Sequence, residues 1–248
     1  MTRVLAAILC CFSILAGCAA QKQVVVQDSG STDRIAVTYA GTLPCADCEG
    51  QLVVLTLFPD STFRMRTTYL GIDRGRNNDF YELGRWNFFE GTAGRYVLQG
   101  SSNRPLQFSK QPDGALRQLD RAGQAIVSTL NYELKRQQGV DTISGPMKLR
   151  GMYVYQADAA SLTECQTGRR LPVLIEGDHL ALERAYLAAR RQPGEKMLAS
   201  LSARFVERAP EPGLPLREHL IVETFERVWP GETCTPTLPA APLDPAAH

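Results

Sequence analysis

The sequence predicts a mainly β protein made of two small barrels in tandem, and three observations carry that prediction. From Thr38 to Arg136 apolar and polar residues alternate over short runs, separated by Gly-, Asp- and Asn-bearing turns at regular spacing. A stretch at 137–147 that is poor in apolar residues and holds Gly139, Gly145 and Pro146 then divides the chain. Beyond it, one segment has the period of a helix and the rest again looks like strand. The 248 residues are 44% apolar and 21% charged, which is ordinary for a globular chain. A formal net charge of +1 gives no field that would steer the protein onto nucleic acid.

The N-terminus is a targeting segment. Met1-Thr2-Arg3 is followed by an apolar run from Val4 to Ala16, too short to cross a hydrocarbon core roughly 30 Å thick as a helix. The run ends in Leu15-Ala16-Gly17-Cys18, which looks like the bacterial lipobox, where the Cys thiol is diacylated and the chain is cut before it. Residues 1–17 are therefore the expected signal peptide and 18–37 a lipidated tether. Two or three acyl chains bind at about 0.8 kcal/mol per buried methylene, enough for firm anchoring. Ala19 in place of Asp points to the outer membrane under the enterobacterial sorting pattern.

The first barrel is expected over 38–136. Gln51 to Phe58 is apolar on both faces, and Pro59-Asp60-Ser61 turns the chain back. The next run sets Phe63, Met65, Thr67 and Tyr69 on one face and Arg64, Arg66 and Thr68 on the other. Further runs lie at Trp86 to Phe89, Arg95 to Gln99, Pro105 to Ser109, Ala115 to Leu119 and Leu130 to Leu134. Such a meander removes its exposed edges by closing into a barrel. The second barrel is expected over 148–234. Its strand candidates are Leu149 to Tyr155, Met197 to Glu207 and Glu218 to Phe225. Asp178 is a candidate cap for a helix from His179 to Arg191, with Leu182, Tyr186 and Ala189 on one side. Pro236, Pro239, Pro242 and Pro245 recur every third residue, so 235–248 reads as a polyproline-like disordered tail.

The chemistry lies in the cysteines or in a barrel interior. Besides Cys18, the mature chain keeps Cys45, Cys48, Cys165 and Cys234, and an even number of thiols in an exported protein reads as disulfides. Four cysteines allow three connectivities. Cys45-Ala46-Asp47-Cys48 stands alone, without the second CxxC or His pair that structural zinc needs. A local disulfide, a thiol pair for Cu(I) and a redox pair all fit it. Cu(I) accepts few, soft ligands, while a thioredoxin-like site would want a helix after the motif, where strand is expected. No hydrolase, zinc-protease or P-loop motif is present. His179, His219 and His248 read as surface or partly packed side chains, and Arg64, Arg66, Arg74 and Arg76 as a solvated strand face.

Taken together, the lipobox, Gly41-Thr42-Leu43-Pro44-Cys45-Ala46-Asp47-Cys48-Glu49-Gly50, Tyr69-Leu70-Gly71, Gly84-Arg85-Trp86, Leu119-Asp120-Arg121-Ala122-Gly123 and Asn131-Tyr132 resemble the NlpE family of outer-membrane lipoproteins. In the second half, Leu149-Arg150-Gly151-Met152-Tyr153, Ala157-Asp158-Ala159-Ala160, Cys165 with Thr167-Gly168, Leu182-Glu183-Arg184 and Tyr186-Leu187-Ala188-Ala189-Arg190 are similar to its C-terminal domain. The likeness spans about 38–234. The tether before Cys45 and the loop from Arg190 to Glu195 depart from it, and the Pro-rich tail has no counterpart.

The resemblance implies a lipocalin-like antiparallel β-barrel followed by an OB-fold barrel with one helix. It further implies that Cys45 and Cys48 match the N-domain pair, and that Cys165 and Cys234 form the C-domain disulfide. The implied function is not enzymatic. It is an envelope-stress sensor, lipid-anchored in the outer membrane and facing the periplasm, which reports surface contact, lipoprotein-trafficking faults or failed disulfide formation to a Cpx-type inner-membrane sensor kinase. The implied partners are that kinase, the lipoprotein-sorting machinery and the disulfide-forming machinery, with no nucleic acid. No cofactor is required. Copper tolerance is implied too, with Cys45 and Cys48 as Cu(I) ligands. The alternative is a small-ligand or copper-binding periplasmic module without signalling.

Overall fold

The computed structural model describes residues 35–235, apart from 73–77, 92–93, 103 and 210–212. The signal peptide, Cys18, nearly all of the tether, Arg74, Arg76, His248 and the Pro-rich stretch from 236 on lie outside the described residues.

The first barrel has eight strands: β1 Val37–Leu43, β2 Gly50–Leu57, β3 Thr62–Leu70, β4 Asp79–Phe89, β5 Arg95–Gln99, β6 Leu106–Lys110, β7 Leu116–Gln118 and β8 Glu133–Arg136. Each pairs antiparallel with the next, and β8 closes on β1 through Tyr39↔Arg136 and Ala40↔Lys135. Period two decides what lies inside. Phe63 and Met65 of β3 face Gly84 and Glu82 across the ladder, whereas Arg64 and Arg66 face Leu83 and Tyr81 on the outer side. The interior is filled by Leu55, Phe63, Leu98, Phe108, Leu116 and Leu134, each under 2% exposed. Burying such a side chain stabilises by about 1.5–3 kcal/mol. A small ligand in this barrel would have to displace those residues.

The second barrel comprises β9 Met147–Gln156, β10 Ala159–Glu164, β11 Arg170–Gly177, helix α1 His179–Ala189, β12 Met197–Arg208 and β13 Arg217–Trp229. Its strands close in the order β10-β11-β13-β12-β9, with β11 parallel to β13 and α1 in the connection between β11 and β12. Gly177 makes the entry to α1 possible. Its φ is +62°, and a Cβ there would run into the Val222 carbonyl oxygen. Leu182 and Tyr186 bury one side of α1, and the Tyr186 hydroxyl donates to the Glu195 carbonyl at 2.8 Å.

The structure differs from the sequence reading at several places. Asp178 precedes α1, but its side chain makes no cap; Oδ2 accepts the Phe225 amide at 2.7 Å and so fastens β13 to the helix start. His179 is not a surface residue. It is 1% exposed, with Nε2 3.0 Å from the Tyr153 hydroxyl. The strand β4 runs well beyond Trp86 to Phe89, because Tyr81 and Leu83 on its outer side are covered by the second half of the chain. Strand β10 is short and β11 carries Pro172, so neither makes a run that stands out in the sequence.

Two differences reshape the molecule. Residues 137–146 are not a loose linker but a strap fastened to both barrels. The Thr56 hydroxyl donates to the Asp141 carbonyl at 2.6 Å, and the Asp141 amide donates to Thr38 Oγ1 at 2.9 Å. The Thr38 hydroxyl, 2.8 Å from Thr56 Oγ1, must then donate to it, which closes a ring of three bonds. On the other side the Phe205 amide donates to the Ser144 carbonyl at 3.2 Å, and Ile143 is 1% exposed at φ +47°. Arg64, expected on a solvated face, is the second difference. It is 3% exposed, because the second barrel lies on the outer side of β2, β3 and β4.

Candidate functional site

The redox-active and buried charged groups are concentrated at two disulfides and at the joint between the barrels. Cys45 and Cys48 are bonded, their Cα atoms 5.3 Å apart, in the β1–β2 turn. Both are half-buried. The turn is tied to the barrel end by the Glu49 amide, which donates to the Leu70 carbonyl at 3.1 Å, and by Asn131, whose amide nitrogen donates to the Thr42 carbonyl at 2.8 Å. A bonded pair offers no thiolate, so a soft metal would find ligands here only after reduction. Among the described residues no group of three or more His, Cys, Asp or Glu side chains could hold a metal ion.

Cys165 and Cys234 form the other bond, with a sequence separation of 69. Cys165 opens the turn between β10 and β11, and that turn is built by one buried carboxylate. Glu164, 2% exposed, accepts the Gln166 amide at 2.9 Å and both the amide and hydroxyl of Thr167 at 2.7 Å. Gly168, at φ +70°, completes the turn and donates its amide to the Glu164 carbonyl. Cys234 follows β13, so the bond ties the C-terminal end of the second barrel to this turn.

The same turn also touches the first barrel. Arg85 of β4 donates to the Thr167 carbonyl. Arg169 reaches Asp60 at 3.3 Å and Glu218 at 3.0 Å. Glu218 also receives Arg64 at 2.7 Å. Arg64 donates in addition to the Thr142 carbonyl at 3.1 Å, and its guanidinium lies 3.5 Å from the centroid of the Phe205 ring. Burial lowers the pKa of Arg64 and Glu218 opposes that shift, so the side chain remains a cation enclosed between two barrels. Val54 and Leu83 of the first barrel join the apolar cluster of the second, and an open groove of about 750 Å³ runs beside the joint between β4 and β9.

Of the sequence-predicted residues, the four cysteines fall into two separate bonds, one in each barrel, and Cys18 lies outside the described residues. Of the joint residues, Arg64 falls in the run that reads as a solvated strand face and Arg85 in the Gly84-Arg85-Trp86 motif, whereas Glu164, Arg169 and Glu218 are not singled out by sequence. The one available signal is an arginine next to a single aromatic residue, as in Phe63-Arg64 and Arg85-Trp86, and that pattern is common on solvated faces.

Two disulfide-bearing closed barrels, strapped together by a short connection, define a two-barrel module among the described residues. Residues 39–129 match the family model of the NlpE N-terminal domain, and residues 143–235 match that of the NlpE C-terminal OB domain. The chain is 38% identical over 199 residues to lipoprotein NlpE of Escherichia coli strain K12, covering 80% of each chain. The chain belongs to the NlpE family. Among solved structures it is similar to the Cpx pathway activator NlpE from Escherichia coli, at 35% identity over 80% of this chain and 98% of that one, with a TM-score of 0.36. A putative lipoprotein from Shewanella oneidensis matches at 29% identity over 41% of this chain and 88% of that one, with a TM-score of 0.35.

Proposed function

We propose that this chain is an envelope-stress lipoprotein. Cys18 carries the lipid that anchors it in the outer membrane, and the two barrels face the periplasm. From there it reports surface contact, faulty lipoprotein trafficking or failed disulfide formation to a Cpx-type sensor kinase of the inner membrane. The observation that carries this reading is membership of the NlpE family across both barrels, whose Escherichia coli member is described as a Cpx pathway activator. The activity is one of conformation and contact and needs no catalytic step. For disulfide formation the input is Cys165–Cys234, whose bond spans most of the second barrel. Copper tolerance would use reduced Cys45 and Cys48 as a two-thiolate Cu(I) site.

A reporter of the kinase pathway, in cells lacking the native copy, tests the sensing role. Cys165→Ala at matched protein levels is expected to raise output, and Cys45→Ala to raise it far less. Equal output from Cys165→Ala and wild type would remove the oxidative-folding role. Fractionation tests the anchor: Cys18→Ala should appear in the soluble periplasm and wild type in the outer membrane. Anaerobic Cu(I) titration of the reduced protein tests the metal, with Cys45→Ser/Cys48→Ser as the variant that should lose binding.

A further inference from the structure

We infer that the Cys165–Cys234 bond sets the closure of the joint between the barrels, so that an unbonded protein uncovers the outer face of the first barrel around Arg64. This rests on the proposed role of that bond as an input and names what the bond controls.

The connection runs through one short turn. The bond holds Cys165, and the four residues after it supply two of the joint's anchors: the Thr167 carbonyl, which accepts from Arg85, and Arg169, which pairs with Asp60. Arg169 also shares Glu218 with Arg64, so it fixes the carboxylate that makes the burial of Arg64 tolerable. A buried guanidinium with a weakened partner destabilises the closed arrangement that buries it. Loosening the turn therefore acts on Arg64 even though Arg64 is not near the sulfurs in sequence. The strap at 137–146 keeps its bonds to Thr38 and Thr56, so the barrels part without separating. What opens is the face carrying Arg64, Val54 and Leu83, now covered by the second barrel.

Chemically the input is a two-electron change. Forming the bond converts two thiols to one disulfide, and the two electrons and two protons pass to an acceptor protein disulfide, which becomes a dithiol. A newly exported chain that has not met such an acceptor has the turn without its tie. One that has met it has the joint shut.

Amide hydrogen exchange on the full mature chain tests the inference, comparing wild type, Cys165→Ala/Cys234→Ala and Arg169→Ala. The reporting amides are Phe205, which donates to Ser144 of the strap, and those of Leu83 and Arg85 on β4. In the cysteine variant they are expected to exchange at least tenfold faster, with Leu55 and Phe63 inside the first barrel unchanged. Arg169→Ala keeps the disulfide, so it should speed the same amides several-fold while the second barrel's own core, at Leu162 and Leu220, stays protected. That variant keeps the test decisive if removing the bond unfolds the second barrel outright. Unchanged joint amides in Arg169→Ala would overturn the inference, as would acceleration spread evenly over the whole second barrel. Pathway output rising in the cysteine variant with the joint still closed would overturn the latch and leave the sensing role standing. Joint opening in Arg169→Ala without output would support the latch and count against the sensing role.

Discussion

Arg64 is a cation at 3% exposure with one carboxylate, one carbonyl and the rings of Phe58 and Phe205 for company. Removing the carboxylate leaves the cation where it is. Glu218→Gln should therefore cost about 3 kcal/mol, the low end for stranding one member of a buried pair, because the Thr142 carbonyl and the Phe205 ring remain. Urea denaturation of wild type and variant measures it, and a cost under about 1 kcal/mol would mean that Arg64 relaxes into solvent. His179 makes a second residue-scale case. Burial pushes its pKa below the usual 6.5, and Glu183, 3.7 Å from Nδ1, only partly offsets this. The folded state thus binds this proton less readily than the unfolded chain. Stability is fully present above 6.5 and falls as the pH drops from there through the lowered folded value. His179→Gln should flatten that fall, as measured by denaturation midpoints across the window. Sequence placed Arg64 correctly on the outer face of its strand. It carried no sign that another barrel covers that face, because burial between domains leaves the period-two pattern intact.

The strap is the element whose role sequence concealed most completely. Residues 137–146 have the composition of a linker, and a linker with Gly139, Gly145 and Pro146 is a fair inference from composition alone. Its order comes instead from the Thr38, Thr56 and Asp141 ring and from Ile143, contacts that bring together residues 85 and 103 positions apart. No local pattern encodes such a ring. Ile143 offers a test peculiar to this element. A β-branched residue at φ +47° is held in a conformation that costs of order 1–3 kcal/mol, while its side chain is almost fully buried. Ile143→Ala should lose about 2–4 kcal/mol through the cavity it leaves. Glycine is normally worse than alanine, but here it adopts the backbone freely, so Ile143→Gly should be as stable as Ile143→Ala or better by up to about 1 kcal/mol. Alanine clearly outperforming glycine in paired unfolding curves would show that the strap adopts another backbone in solution. The strands were far more legible: β2, β3, β5, β9 and β12 fall within a few residues of their sequence runs, because each is rich in apolar or β-branched residues and bounded by turn signals.

At the scale of the whole molecule, two barrels each carry one bond, and the two bonds differ chiefly in the chain they enclose. Cys165–Cys234 spans a separation of 69 residues, Cys45–Cys48 a separation of 3. On the chain-entropy estimate the first stabilises by about 4 kcal/mol and the second by about 2 kcal/mol. Against a total stability of about 5–15 kcal/mol for a domain, the larger value decides whether the second barrel holds together under mild stress. The two tryptophans separate the barrels, since Trp86 lies in β4 and Trp229 ends β13. With Trp86→Phe as background, urea unfolding followed by Trp229 reports the second barrel; with Trp229→Phe, Trp86 reports the first. Changing Cys165 and Cys234 to alanine should lower the stability seen by Trp229 by about 4 kcal/mol and move the Trp86 transition much less. Changing Cys45 and Cys48 should move the Trp86 transition by no more than about 2 kcal/mol and leave Trp229 where it was. If both tryptophans shift together in the first variant, the buried Arg64 pair and the strap couple the barrels into one cooperative unit. Loss of the long bond would then be felt across the whole protein rather than at the joint.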